Sequence, residues 1–131
     1  MNISFLKWNL IIAWVWVLLG FVSGFMLGSR FHEENWLGGY ASHKRRLYRL
    51  AHISFFGLAL INLMFYFTAR GFAAASSQTS FASWGFIAGA MTMPVCCLIM
   101  AHRPKLRALF LIPVSCLVAA GSLTIWEVLK S

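Results

Sequence analysis

Acidic residues are scarce in this chain: three Asp and Glu stand against eleven Lys and Arg among 131 residues, for a net charge of +8. Charged residues of both signs reach only 11%, less than half the roughly 25% of an ordinary soluble domain. That leaves too little polar surface to cover a water-soluble globule, which excludes a soluble fold. Cysteine is also sparse. Cys96, Cys97 and Cys116 lack the paired spacing of a zinc site or a thiol redox motif and read as small apolar residues. No phosphate loop, nucleophile triad, zinc-protease motif or CxxCH haem-attachment motif occurs, and the chain has no convincing internal repeat of the kind transporters show.

What the chain has in abundance is apolar length. Hydrophobic residues make up 60% of it, and they gather in four runs: about 8–28, 50–69, 80–101 and 108–126. Each run approximates the 20 residues that cross a hydrocarbon core of about 30 Å as an α-helix. None alternates in polarity as a β-barrel strand does. The sequence therefore predicts an all-α integral membrane protein, a single four-transmembrane-helix bundle over residues 1–131. The first run exceeds the 7–15 apolar residues of a signal-peptide core, and with the chain beginning at Met1 it reads as a retained span.

The positive charges are unevenly spread. Arg30, Lys44, Arg45, Arg46 and Arg49 lie between the first two spans, and Arg103, Lys105 and Arg107 between the last two; Lys7, Arg70 and Lys130 lie on the other side. Eight against three is the bias that holds short loops in the cytoplasm, so the expectation is a bacterial inner (plasma) membrane with both termini on the non-cytoplasmic side and a cytoplasmic loop of about 29–49. The uncharged connection from Gly71 to Thr79 suits a short exterior loop.

Small residues supply faces for close helix packing. Gly20, Gly24 and Gly28 form one ridge in the first span and Gly85 and Gly89 another in the third, while Cys116, Ala120 and Thr124 recur at four-residue spacing in the fourth. The ridges hold the helices of one monomer together or face a partner, as in a homo-oligomer or a larger membrane complex. Pro94 and Pro113 each remove a backbone hydrogen bond and predict bends, with Thr92 and Ser115 close enough to satisfy freed carbonyls.

Among groups that carry chemistry, His52 and His102 adjoin antiparallel spans at similar depth, and two facing histidines can ligate a b-type haem. At 100° per residue His52 shares an arc with Phe55, Ala59, Asn62 and Tyr66, which makes Asn62 and Tyr66 further cofactor-binding candidates. No metal site is expected, since Glu33 and Glu34 beside His32 have no second carboxylate–histidine pair. Lys44, Arg45, Arg46 and Arg49 predict contact with anionic lipid headgroups. Glu127 reads as an interfacial partner of Lys130, Lys7 or Arg70. Three functions follow, in order of support: a non-enzymatic membrane subunit or interaction module packing through small-residue faces; a haem b- or quinone-linked electron-transfer protein; and a small channel or transporter.

Overall fold

Long apolar runs set helix length here, and short polar signals set helix ends. In a computed structural model, which describes residues 4–72 and 76–131, the chain forms four helices: α1 (Leu6–Ser29), α2 (His43–Arg70), α3 (Ser77–His102) and α4 (Leu111–Lys130). Ser42 starts α2 by accepting the Arg45 N–H on its hydroxyl at 3.1 Å, and Ser76 starts α3 in the same way through Thr79 at 3.1 Å. Each supplies one of the acceptors that the first turn of a helix lacks. All four helices are long and apolar enough to cross a membrane; the shortest, α4, has 20 residues, about 30 Å at 1.5 Å per residue. The protein is an all-α four-helix bundle.

The expected stretches 8–28, 50–69 and 80–101 fall inside α1, α2 and α3, the fourth begins before α4, and the ends differ throughout. Apolar runs mark hydrocarbon, whereas a helix continues into the interface until a cap stops it. α2 thus starts at His43, so the basic run up to Arg49 is helical and the connection from α1 shortens to residues 30–42. Residues 108–110, expected in the fourth span, belong to a 3-10 stretch, Pro104–Phe110, that leads into α4. Pro113 therefore falls in the first turn of α4, where N–H groups have no intrahelical acceptor, and it bends no helix interior. Of the expected exterior loop, 73–75 lies outside the described residues, and Ser77 to Thr79 already form the start of α3.

α2 packs against both α1 and α3, α3 packs against α4, and α1 touches α3 more sparingly. Large apolar side chains cover the outside, as Phe25 (79% exposed) and Leu111 (67%) illustrate. In water such a surface would drive aggregation; in a bilayer it is the surface that lipid requires.

Candidate functional site

One end of the bundle carries the connections rich in cations and is called the basic end below. The connection between α1 and α2 folds around a single arginine. It turns at Leu37, Gly38 and Gly39, which have φ of 56°, 88° and 98°; two glycines sit where side chains are disfavoured. This turn carries Trp36 and Tyr40 back over Arg45, whose guanidinium lies 3.9 Å from the Tyr40 ring centroid and 5.5 Å from those of Phe31 and Trp36. Arg45 also donates to the carbonyls of Glu33 (3.2 Å), Glu34 (3.5 Å) and Phe31 (3.4 Å) and is 2% exposed. Expected to meet lipid headgroups, Arg45 is withdrawn from them: ring faces and carbonyls occupy its charge. Arg46 and Arg49 remain exposed and Lys44 partly so.

Beneath this connection, between the C-terminal half of α1 and the N-terminal half of α2, lies a cavity of about 600 Å³. Leu27, Ala51, Phe55 and Leu98 contribute to its apolar wall, and Ser23, Arg30, Trp36, Tyr48 and His52 supply its polar groups. The Ser23 hydroxyl lies 2.9 Å from His52 Nδ1 and also donates to the Gly20 carbonyl at 3.1 Å. Tyr48 is one turn before His52, and its hydroxyl lies 2.8 Å from His102 Nε2.

The two histidines engage different partners. His52 packs on Gly24 and bonds Ser23 of α1, while His102, exposed at the end of α3, bonds Tyr48. Asn62 and Tyr66, expected to share a site with His52, do not line the cavity; ten residues of helix put Asn62 about 15 Å further along α2. Tyr66 has Arg70 over its ring at 5.6 Å. Among the described residues no three His, Cys, Asp or Glu side chains converge as metal ligands do.

Asn62 joins a different constellation, in which Asn9, Asn62 and Ser83 are fully buried. Asn9 Nδ2 donates to Asn62 Oδ1 at 2.9 Å and to the Ser83 carbonyl at 3.3 Å; the Ser83 hydroxyl donates to Asn9 Oδ1. Asn62 also donates to the Leu58 carbonyl at 2.9 Å. This network ties α1, α2 and α3 together. A second tie is Trp16, whose indole N–H donates to the Ala90 carbonyl at 3.0 Å. Ala90 lies four residues before Pro94, so its carbonyl is the one that the proline leaves without a helical donor. Thr92 does not serve it; the Thr92 hydroxyl goes to Ala88 O at 2.7 Å. Sequence reasoning missed Asn9, Ser83 and Trp16. The signals were a polar residue inside each of two apolar runs, and a proline whose freed carbonyl needs a donor from elsewhere.

The small-residue ridges pack inside the molecule. A Cβ on Gly20 would lie 2.7 Å from the Phe56 ring, and one on Gly24 2.9 Å from His52, so both meet α2; Gly28 has nothing within 4 Å. Gly85 faces Ala120 and the Cys116 carbonyl, and Gly89 faces Leu117, all on α4. Glu127 is 8% exposed and its Oε1 has no hydrogen-bond partner among the described residues. Two of its three expected partners engage aromatic rings: Lys130 lies over the Trp126 ring at 4.9 Å, and Arg70 over Tyr66. The chain matches no family model, no curated protein and no solved structure, so the site rests on its own geometry.

Proposed function

We propose that this small four-helix membrane protein is a non-enzymatic binding subunit that holds one amphipathic molecule in the cavity between α1 and α2. The observation that carries this reading is the cavity itself, whose volume of about 600 Å³ falls within the range of roughly 300–1,000 Å³ typical of ligand sites. Its apolar wall suits a hydrocarbon tail, and its polar groups suit a headgroup. The eight-to-three charge bias supports a cytoplasmic position for this end, so the ligand is drawn from the cytoplasmic leaflet. An interaction module built on the glycine ridges has less support, because Gly20, Gly24, Gly85 and Gly89 are already used against α2 and α4. Electron transfer through one haem between His52 and His102 has less support too, because the two rings engage different partners.

The test is native mass spectrometry of the full chain purified in mild detergent. One amphiphile per chain is expected. Leu98→Trp, which adds bulk to the cavity wall, should abolish it, whereas Leu111→Trp on the exposed face of α4 should not. A chain that carries no amphiphile, or a Leu98→Trp variant that keeps it, refutes the proposal.

A further inference from the structure

We infer that the molecule held in the cavity is an anionic phospholipid, its phosphate at Arg30 and Trp36 and one acyl chain against the Leu27, Phe55 and Leu98 wall. This rests on the reading of the cavity as a binding site and names its ligand. The argument turns on which polar groups at the mouth are still free. Ser23 and Tyr48 already have partners within the chain. Arg30 uses only Nη1 within the chain, on the Glu33 carboxylate at 3.2 and 3.4 Å, and its side chain is 56% exposed. Nε and Nη2 make no hydrogen bond among the described residues, and neither does the Trp36 indole N–H.

The mouth therefore offers N–H donors that lack acceptors, one set of them cationic. A phosphate group supplies acceptor oxygens and negative charge together, and a guanidinium matches its geometry with two parallel bonds. Lys44 shares the Tyr48 arc of α2 one turn earlier and adds positive charge on that side. Neither Arg46 nor Arg49 lines the cavity, whereas Arg30 does, so the anion-binding role expected of the whole run moves to Arg30, which that expectation did not include. Trp36 is held for this purpose by its edge-on contact with Tyr48, 6.4 Å between ring centroids, and by Arg45 over its ring.

The experiment titrates the delipidated full chain in detergent with short-chain phosphatidylglycerol, short-chain phosphatidylcholine or inorganic phosphate, and counts complexes by native mass spectrometry. One cation near a headgroup is worth about 1 kcal/mol, so phosphatidylglycerol is expected to bind about fivefold more tightly than phosphatidylcholine. Arg30→Gln should remove that preference and Arg30→Lys should keep it, which separates loss of charge from loss of fold. Trp36→Phe, which keeps the ring contacts and loses the donor, should weaken binding of both lipids. Inorganic phosphate at lipid-like concentration should not compete. Equal binding of the two lipids that Leu98→Trp still abolishes overturns the anionic assignment and leaves the cavity reading standing. Competition by inorganic phosphate overturns the lipid in favour of a free anion. Failure of both lipids to bind overturns the cavity reading as well.

Discussion

The pairing of Trp16 with the carbonyl that Pro94 frees makes a quantitative prediction. Trp16 is 7% exposed and its Nε1 lies 3.0 Å from Ala90 O. Trp16→Phe keeps a ring against Phe55, now 5.8 Å away edge to face, but it leaves that carbonyl without a donor inside the membrane. Hydrogen bonds between membrane helices average about 0.6 kcal/mol and reach about 1.7. A buried acceptor left unsatisfied costs about 1–3 kcal/mol. The bond at Ala90 should lie toward the upper end, because Pro94 removes the helical N–H that would otherwise serve this carbonyl, and about 1.5 kcal/mol is expected, in addition to lost packing. Pro94→Ala restores the helical N–H that would bond Ala90 O. In that background Trp16→Phe should lose only its packing term, so the double-mutant cycle should show a coupling of about 1 kcal/mol. Unfolding by rising SDS mole fraction, followed by far-UV circular dichroism, measures all four corners. Additivity within about 0.3 kcal/mol would mean that Trp16 does not serve the freed carbonyl, and the reasoning would fail.

The Asn9–Asn62–Ser83 network should show the same asymmetry: Asn9→Leu alone is expected to cost about 2 kcal/mol, and Asn9→Leu with Asn62→Leu and Ser83→Ala less than that, because apolar replacement of every partner leaves no orphan; SDS unfolding decides. Gly85→Ala should destabilise by about 1–3 kcal/mol, since its Cβ would lie 2.9 Å from Ala120 Cβ and 3.2 Å from the Cys116 carbonyl. Gly28→Ala, with nothing within 4 Å, should stabilise by about 0.5 kcal/mol through helix propensity, and equal melting shifts for the two would contradict the packing assignment. Arg45→Lys keeps the charge but loses the planar fork and its stacking; limited proteolysis should then cut residues 31–40 several times faster with the spans intact, and an unchanged cleavage rate would remove Arg45 as the organiser of that connection. A reporter fused at Ser131 that is active only outside the cytoplasm is expected from the charge bias, and cytoplasmic activity would reverse the orientation.

The location of this chain could be read residue by residue, because the bilayer imposes a one-dimensional requirement: about 20 apolar residues per crossing, with cations beside the crossing. That requirement is local, so four spans, helical class and charge asymmetry were all visible without a structure. Facing was not. Apolar side chains cover most sides of α1 and α3, so no polar face marks which side each turns to a neighbour. The Gly20 and Gly24 ridge could equally have met a second molecule. Only assembly decided that Gly24 receives His52, and that His52 meets Ser23 while His102 meets Tyr48. The charge of Arg45 was plain in the sequence, but its withdrawal from lipid depended on the Leu37 to Gly39 turn bringing Tyr40 and Trp36 over it. Composition and run length thus determined that the chain lies in a membrane and crosses it as four helices, since both follow from transfer of short segments out of water. Which polar groups are spent on one another, and which remain free at the cavity mouth, was decided by tertiary structure, since hydrogen bonds between helices join residues far apart in sequence.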